Sequence, residues 1–385
     1  MNKLRVLVVD DSLVYRNIVS KAVKNTGIAR VDCTASGGVT ALERLEQREI
    51  DVVLLDVFMP EMDGIETLKE IKKRYSHLPV IMISGGGEDG ARLTVKALEQ
   101  GTMDFILKPQ DGDPHKNITT ISRHLGILFS QIVMDKYLSG KPVAKKTIKK
   151  ANVKVDKQIA GPKREKEGEK EKEEKPDKLT ILDSTCITGV DLVVVASSTG
   201  GPNAVEEVCR SLGSNFTKPI LLVQHMPADF TRIFSDFLNK KTNIKVKEAE
   251  QGDQVVGGQV LVAPGGYHMT VDPPDRRGGA LRVSLNTDDP VNGVRPAADV
   301  LFRSVAQNYK GKRILAIILT GMGNDGTQGI RELKEACQCY CITQSQETCV
   351  IYGMPRSVYE MGLSDEVVHL QDIGRRIIEI SRGRC

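Results

Sequence analysis

A long run of charged residues divides this chain and limits what it can fold into. Between residues 141 and 178, 22 of the 38 residues are charged and none is aromatic. Such a segment cannot bury enough apolar surface to offset the entropy lost on ordering, so we predict a flexible linker over residues 139–181. The chain of 385 residues is therefore expected to hold two globular domains, at residues 1–138 and 182–385.

The same segment accounts for the charge of the chain. It carries 14 Lys and Arg against 8 Asp and Glu, which leaves about −2 on the rest of a chain with net charge +4. Basicity confined to a linker gives little support to nucleic-acid binding by a folded surface. Eight cysteines without paired spacing favour reduced thiols. Short apolar runs and a start without signal-peptide features predict a cytoplasmic protein with no membrane insertion.

Both globular parts alternate apolar runs with helical stretches. The first part has runs at residues 4–9, 31–34, 51–55, 79–83 and 104–107. The second has runs at residues 192–196, 220–223, 259–262, 281–285, 314–319 and 340–343, with helices near 202–212, 229–239, 296–308 and 326–337. Continuous apolar strands between helices predict parallel sheets covered on both faces. We predict two doubly wound α/β domains, the first five-stranded and the second with an antiparallel stretch near residues 255–285.

Polar side chains follow the predicted strands of the first domain. Asp10 and Asp11 follow the first strand, Asp56 the third, Ser84 the fourth and Lys108 the fifth. Taken singly, each side chain could be a helix cap, a turn residue or a solvated charge. Together they are expected at one edge, because ligands bind beyond the carboxyl ends of parallel strands. Grouped carboxylates require a cation and suit Mg²⁺, which would screen an incoming phosphoryl group.

The first domain resembles a response-regulator receiver domain over nearly all of residues 1–125. The segments that carry the resemblance are VVDDS (8–12), LLDVFMPEMDG (54–64), IMIS (81–84) and FILKP (105–109). It implies that a histidine kinase phosphorylates Asp56 and that Asp10, Asp11 and Asp56 hold Mg²⁺. The residues that it implies as sensors of the phosphoryl group are Ser84, Lys108 and Phe105. For Phe105, an ordinary core position is the alternative.

In the second domain, a serine, a histidine and an aspartate follow three predicted strands. Ser198 lies on a turn before a helix, His225 follows the next strand, and Asp325 lies in the loop after residues 314–319. A hydroxyl nucleophile, an imidazole that takes its proton and a carboxylate that orients the imidazole form a hydrolytic triad. The chain order differs from that of α/β-hydrolases, and the G-x-S-x-G turn is missing. A serine that only caps its helix is the alternative.

This domain resembles the catalytic domain of chemotaxis protein-glutamate methylesterases, the CheB family. The matching segments are ASSTGGPNAV (196–205), QHMPADFT (224–231), VLVAPGGYHM (260–269), RPAADVLF (295–302), LTGMGNDGTQG (319–329) and VIYGMPRSV (350–358). The resemblance implies Ser198 as nucleophile, His225 as general acid/base, Asp325 as its partner and the Met322 N–H as an oxyanion donor. The family usually has Gly-Ala where this chain has Ala-Ser at 196–197, but Ser198 is in register with Thr-Gly-Gly.

The implied function is hydrolysis of glutamate γ-methyl esters on the cytoplasmic helices of chemoreceptors, with release of methanol and deamidation of receptor glutamines. The esterase domain would need no cofactor. The unphosphorylated receiver domain should pack over the esterase cleft and obstruct Ser198. A phosphoryl group on Asp56, with a charge of about −1.5 to −2, would draw in Ser84 and Lys108 and weaken that packing.

Three further patterns invite a functional interpretation. Residues 321–326 spell G-x-G-x-x-G, but Asp325 would stand beside any bound pyrophosphate, which disfavours a dinucleotide site. The C-x-C-x-C pattern in residues 337–342 alternates like a strand, which favours packing over zinc binding. His268 lies in a turn and could approach the catalytic residues or be structural.

Two rival functions explain less of the sequence. A non-enzymatic response regulator, whose second domain only binds a partner, has no need of the set Ser198, His225 and Asp325. A DNA-binding regulator would need a compact, basic helix-turn-helix output of about 60–100 residues. The second domain, residues 182–385, is twice that long and not basic. We therefore predict no nucleic-acid partner.

Overall fold

A computed structural model describes residues 3–109, 113–139, 180–181, 187–273 and 280–384. The linker predicted over residues 139–181 lies outside the described residues, apart from its first residue and its last two. The predicted domain boundaries therefore stay predictions. None of the described helices is long and apolar enough to span a membrane.

The amino-terminal domain contains a five-stranded parallel sheet. Its strands are β1 (Leu4–Val9), β2 (Ala29–Ala35), β3 (Val52–Asp56), β4 (Val80–Ser84) and β5 (Asp104–Leu107). Its helices are α1 (Leu13–Asn25), α2 (Gly38–Gln47), α3 (Gly64–Arg74), α4 (Glu88–Glu99) and α5 (Pro114–Ser139). The strand order is β2-β1-β3-β4-β5, and every pairing is parallel. The predicted doubly wound sheet is confirmed.

Helices cover both faces of this sheet. Leu7 and Val9 of β1 belong to the apolar cluster that includes α2, α3 and α4, whereas Val6 and Val8 belong to the cluster with α1 and α5. All five residues of β3 are buried. Strands buried on both faces read as continuous apolar runs, which is why the sequence predicts them well. Polar side chains are left to the strand ends.

The carboxy-terminal domain contains an eight-stranded sheet. Its strands are β6 (Thr180–Ile181), β7 (Leu192–Ser197), β8 (Ile220–Gln224), β9 (Lys245–Glu248), β10 (Gln259–Val262), β13 (Arg313–Ile318), β14 (Gln338–Gln344) and β15 (Glu366–Val368); β11 (His268–Asp272) and β12 (Arg282–Asn286) form a separate antiparallel pair. Its helices are α6 (Gly201–Leu212), α7 (Ala228–Lys241), α8 (Ala298–Asn308), α9 (Thr327–Ala336), α10 (Met354–Glu360) and α11 (Leu370–Ser381). The second α/β domain and its antiparallel stretch are confirmed.

The strand order of the large sheet places three reactive loops together. The order is β6-β15-β14-β13-β7-β8-β10-β9, and within the described residues only β6 runs antiparallel to its neighbour. Strands β13, β7 and β8 are consecutive and parallel. The loops that leave their carboxyl ends therefore meet at one edge of the sheet.

Four strands and two helices of this domain are not predicted by the sequence pattern. Strand β9 reads Lys-Val-Lys-Glu, and only Val246 within it is buried. Strand β15 has three residues and begins with Glu366, whose buried carboxylate pairs with Arg376 of α11 at 2.8 Å. Short edge strands and a buried ion pair conceal the apolar signal on which strand prediction depends.

The two domains contact each other through α4 and β5 on one side and α7 on the other. The rings of Phe105 and Phe230 stack with their centroids 5.1 Å apart and their planes within 2°. Two ion pairs join the helices at the margin, Glu88 with Arg232 and Glu99 with Lys241. Exposed ion pairs contribute little to stability, whereas a buried ring pair contributes about 0.5–1.5 kcal/mol beyond its buried area. The ring stack is the centre of this contact.

Candidate functional site

The second domain joins two of the three predicted catalytic side chains directly. His225 follows β8 and Asp325 follows β13, and the Nε2–H of His225 donates to Asp325 Oδ2 at 2.8 Å. Ser198 follows β7, between those strands, and lines the same cavity as His225. Among the described residues no hydrogen bond joins Ser198 to His225. Because Asp325 takes Nε2, the Nδ1 atom is the ring nitrogen that remains for the serine hydroxyl.

The neighbouring serine is committed to a structural hydrogen bond. Ser197 is fully buried, and its hydroxyl donates to Gln224 Oε1 at 2.6 Å. The Nε2–H of Gln224 donates in turn to the Ser198 carbonyl at 2.9 Å. A Cβ at Gly201 would lie 2.2 Å from Gln224 Oε1, so glycine leaves the space that this amide occupies. Ser198, rather than Ser197, therefore borders the cavity.

Asp325 is buried but surrounded by hydrogen-bond donors. The N–H groups of Ala298 and Asp299, at the start of α8, donate to its two carboxylate oxygens at 2.6 and 3.1 Å. Burial alone would raise the pKa of Asp325, but His225 and these N–H groups bring the pKa below its usual value. A helix start stabilises an anion through its free N–H groups and its dipole. Asp325 is therefore ionised where it meets His225.

The loop after β13 approaches Ser198 closely. A Cβ at Gly321 would lie 2.8 Å from Ser198 Cβ and 2.4 Å from Met354 Sδ, so only glycine fits there. Met322, the next residue, lines the cavity, and in the described part of the chain its N–H has no backbone acceptor. An uncommitted N–H beside a nucleophile can stabilise a developing oxyanion. The predicted oxyanion donor thus lies beside the predicted nucleophile.

At the corresponding edge of the first domain, one lysine joins two carboxylates. Lys108 Nζ lies 2.8 Å from Asp10 Oδ2 and 2.9 Å from Asp56 Oδ2, and both aspartates are almost completely buried. Burial raises the pKa of Asp56 to about 6, although the Lys108 ammonium opposes this effect. A single ammonium therefore does not balance the buried negative charge.

The same edge could hold a metal ion. One oxygen from each of Asp10, Asp11 and Asp56 lies within 4.8 Å of the others, and carboxylate oxygens are the ligands that hard divalent cations prefer. Three carboxylates against one ammonium leave a negative charge that such a cation would neutralise.

Ser84, at the end of the adjacent strand β4, is fully buried, and its hydroxyl donates to the Gly85 carbonyl at 3.1 Å.

Two family models match this chain. The CheB methylesterase model matches residues 193–377, and the response regulator receiver domain model matches residues 6–119. The protein-glutamate methylesterase/protein-glutamine glutaminase of Desulfotalea psychrophila is 38% identical over 98% of this chain and 98% of its own. The chain belongs to the CheB methylesterase family.

Other members of this family are similarly related to the chain. The protein of the same name from Treponema denticola is 37% identical over 98% of both chains. Among solved structures, the CheB methylesterase catalytic domain of Thermotoga maritima is 40% identical and covers 50% of this chain and 99% of its own, with a TM-score of 0.47. The amino-terminal domain is the receiver domain and the carboxy-terminal domain is the esterase domain.

The receiver domain covers the predicted nucleophile. A cavity of about 290 Å³ is lined by Ser198, His225 and Met322 from the esterase domain and by receiver residues that include Phe105 and His124. An α-helix with its side chains is about 10–12 Å across, so a helical substrate cannot enter a cavity of this size. Residues of the receiver domain thus border the same cavity as Ser198, and the link between this packing and the unphosphorylated state stays a prediction.

Three groups that contact the predicted site residues are not predicted by the sequence. The ring of Tyr15 on α1 lies 4.5 Å from Lys108 Nζ, and Gln224 fixes the serine turn as described above. Gln224 carries a weak sequence signal, because it ends β8 and precedes His225, whereas Tyr15 lies within α1 and carries none. The start of α8, where the Ala298 N–H donates to Asp325, gives no sequence signal, because every residue type except proline carries a backbone N–H. Phe105 is both buried and part of the domain contact, and its role as a sensor of the phosphoryl group stays a prediction.

His268 is structural. It is 1% exposed; the Ala297 N–H donates to its Nδ1 at 3.3 Å, and its Nε2–H donates to the Asp289 carbonyl at 3.1 Å. Both ring nitrogens therefore hold the backbone of residues 289–297. Of the two alternatives left open by the sequence, the structure supports this one.

The remaining two patterns are parts of the packed fold. Cys341 lies in the apolar core, and Cys337 and Cys339 pack against it. Burial raises the pKa of all three thiols, which keeps them protonated and unreactive. In the glycine-rich loop at 321–326, the Asp325 carboxylate faces His225. A pyrophosphate at this loop would meet that negative charge.

Proposed function

We propose that this protein hydrolyses glutamate γ-methyl esters on the cytoplasmic helices of chemoreceptors and releases methanol. The observation that carries the proposal is the 2.8 Å hydrogen bond between His225 and Asp325, in a cavity that Ser198 shares. The name of the relatives, protein-glutamate methylesterase/protein-glutamine glutaminase, supports this substrate class. The protein would act in the cytoplasm, without a nucleic-acid partner and without a cofactor in the esterase domain.

Ser198 would supply the nucleophile. Its Oγ attacks the ester carbonyl while His225 takes the hydroxyl proton, and the Met322 N–H donates to the resulting oxyanion. The bond to the methoxy oxygen then breaks, and this oxygen takes the proton from His225 and leaves as methanol. Water repeats the sequence on the acyl-enzyme, which releases the glutamate carboxylate and restores Ser198. Asp325 stabilises the imidazolium in each half of the reaction.

The same site would deamidate receptor glutamines. Attack by Ser198 on a γ-carboxamide gives the same acyl-enzyme, and ammonia leaves in place of methanol with the proton from His225. The second half of the relatives' name, protein-glutamine glutaminase, favours this activity. It requires no catalytic group beyond those of the esterase reaction.

Phosphorylation at Asp56 would control the esterase, with a chemotaxis histidine kinase as phosphodonor. Asp10, Asp11 and Asp56 would hold Mg²⁺, which supplies positive charge to the transferred phosphoryl group. Lys108 would contact the phosphoryl oxygens, together with the Ser84 hydroxyl. What supports this assignment is the charge imbalance at the edge, where the carboxylates lie within 4.8 Å of one another and share one ammonium.

The domain contact would transmit the signal. Phe105 lies on β5, three residues before Lys108, and its ring stacks on Phe230 of α7. Helix α7 begins three residues after His225. A movement of Lys108 and Phe105 toward a phosphoryl group would weaken this stack and open the cavity above Ser198.

The decisive experiment measures methanol release from membranes that contain methylated chemoreceptors. Wild-type protein should release methanol slowly, and a small-molecule phosphodonor with Mg²⁺ should accelerate the release. The Ser198→Ala variant should release none under either condition. Failure of the wild type to release methanol from fully methylated receptors would refute the proposed substrate.

A further inference from the structure

An asparagine outside the triad contacts the predicted catalytic carboxylate. Residues 287–297, here called the strap, connect β12 to α8. Within the strap, Asn292 Nδ2 donates one hydrogen bond to Asp325 Oδ1 at 2.9 Å and another to Asp299 Oδ2 at 2.8 Å. An amide nitrogen has two N–H donors, so Asn292 uses both to bridge the two carboxylates.

The two hydrogen bonds from Asn292 reduce the repulsion between two buried carboxylates. Asp299 and Asp325 are 5% and 2% exposed, and they lie close enough for one amide nitrogen to bind both. Burial raises the pKa of Asp299, and the Asp325 carboxylate raises it further. Two buried carboxylates with no cation between them tend to share a proton. Two neutral N–H donors from Asn292 stabilise both anions at once and add no charge.

The strap is held in place by groups other than Asn292. His268 binds its backbone at Asp289 and Ala297. The Nη1 of Arg295 donates to the carbonyls of Thr287 and Asp288 at 2.7 and 2.9 Å. The position of Asn292 is therefore set before its amide contacts the carboxylates, which is the arrangement that preorganised sites require.

The backbone at this position restricts the choice of residue. Asn292 has φ +56, in the left-handed region where asparagine, aspartate and glycine are the residues that are most readily accommodated. Glycine would supply no donor, and aspartate would add a third carboxylate. Of the three residues that suit the backbone, only asparagine also suits the carboxylate pair.

We propose that Asn292 is a positioning residue for ester hydrolysis, which holds the Asp325 carboxylate ionised and aimed at His225. The titratable groups that face its amide are Asp299 on α8 and Asp325 before α9, with His225 on the far side of Asp325. The inference rests on the proposed function, because it assigns Asn292 to the same reaction.

The test compares Asn292→Gly and Asn292→Asp in the full-length protein, with methanol release measured across pH. Both residues suit the backbone, so Asn292→Gly should unfold within a few degrees of wild type, whereas the third carboxylate of Asn292→Asp should lower the unfolding temperature further. We expect kcat to fall about 10-fold in Asn292→Gly and about 100-fold in Asn292→Asp, as lost or reversed hydrogen bonds to a charged group predict. KM should change less than twofold, because Asn292 does not border the cavity.

The pH profile separates positioning from a merely structural role. Loss of the amide donors raises the pH at which the Asp299–Asp325 pair takes up a proton, and a protonated Asp325 no longer accepts the hydrogen bond that orients His225. The acid limb of the kcat/KM profile should therefore move to higher pH. The shift should be larger in Asn292→Asp than in Asn292→Gly. A fall in kcat with an unmoved acid limb in both variants would overturn the proposal in favour of a structural role.

Asn286 offers a matched control at the end of β12. Its Oδ1 accepts a hydrogen bond from the Asp288 N–H at 3.1 Å, and an aspartate would keep that acceptor while adding the same charge. Asn286→Asp should retain wild-type kcat and pH profile. If wild type and Asn286→Asp are active and both Asn292 variants match them, the inference is wrong and the proposed function stands. If wild type itself is inactive, the proposed function is wrong.

Discussion

The buried carboxylates at the strand ends of the receiver and esterase sheets are stabilised in different ways. In the receiver domain, Asp10 and Asp56 share the single ammonium of Lys108, and burial raises the pKa of Asp56 to about 6. In the esterase domain, Asp325 receives backbone N–H groups from α8 and the Nε2–H of His225, and its pKa is lowered. At the first edge a charged side chain leaves the carboxylates incompletely stabilised, whereas at the second fixed N–H donors stabilise the Asp325 carboxylate.

This difference matches the work proposed for each edge. A site whose charge is already balanced by fixed donors is ready for chemistry, because nothing has to reorganise when a transition state forms. A site with unbalanced carboxylates responds strongly when a cation or a phosphoryl group arrives. The molecule thus combines a preorganised catalytic edge with an edge that is sensitive to added charge.

Removal of the proposed nucleophile should have the largest effect on ester hydrolysis. Ser198→Ala should lower the rate of methanol release by about 10⁴-fold or more, because it removes the hydroxyl proposed to form the acyl-enzyme. Adding His225→Ala or Asp325→Ala to this variant should lower the rate little further, since the three residues act as a unit. The measurement is methanol release under saturating phosphodonor.

Ser197→Ala is the matched control for that variant. Ser197 donates to Gln224 within the protein, so its loss should cost a small part of the activity and lower the unfolding temperature. If Ser197→Ala abolishes turnover and Ser198→Ala does not, the nucleophile is Ser197 and the serine turn must rearrange on activation.

Removal of the proposed phosphoryl acceptor, Asp56, should abolish the response of the receiver domain. Asp56→Asn should abolish labelling by a small-molecule phosphodonor with Mg²⁺, because an amide oxygen cannot form the acyl phosphate. Asp10→Ala should weaken labelling by roughly 10-fold or more through loss of a metal ligand. Labelling is measured by intact-protein mass. Asp63, which caps α3 by accepting from the Glu66 N–H, provides a control: Asp63→Asn should be labelled like wild type.

A fragment without the receiver domain tests whether the domain contact inhibits the esterase. A fragment that begins at residue 178 should release methanol several-fold faster than the unphosphorylated full-length protein and should not respond to phosphodonor. In the full-length protein, Phe105→Ala removes the ring stack and should raise basal release by about 3–10-fold, as the value of a ring pair predicts. Phe105→Tyr, which keeps the ring, should stay near wild type. A fragment no faster than the whole would mean that the receiver domain activates by contributing a contact rather than by leaving.

The smallest expected effect concerns metal binding. The pKa of Asp56 is raised to about 6 by burial, so this carboxylate holds a proton below that pH and must lose it to bind a cation. Mg²⁺ affinity measured by calorimetry should therefore rise as pH increases from 5 to 7 and should level off above. Asp56→Asn should bind more weakly with a shallower pH dependence. An affinity independent of pH in wild type would contradict the raised pKa.

The sequence predicted one of the edges more completely than the other. Each receiver residue follows a continuous apolar strand directly, so a rule about strand ends was enough to group Asp10, Asp56 and Lys108. At the esterase edge the same rule found Ser198 and His225. It missed the groups that hold Asp325, because they are backbone N–H groups of α8 and an asparagine on the strap. The position of these hydrogen-bond donors depends on how the strap packs against the start of α8, and this packing produces no periodic pattern in the sequence.

Two residues at the far end of the predicted linker set a limit on how the protein can be cut. Thr180–Ile181 form β6 and pair antiparallel with β15, residues Glu366–Val368, which is otherwise the last strand of the large sheet. An uncovered sheet edge presents unpaired N–H and carbonyl groups that recruit strands from other molecules. An esterase fragment that starts after residue 181 would leave β15 open to self-association. The short strand therefore shields the backbone of β15 from pairing with other molecules.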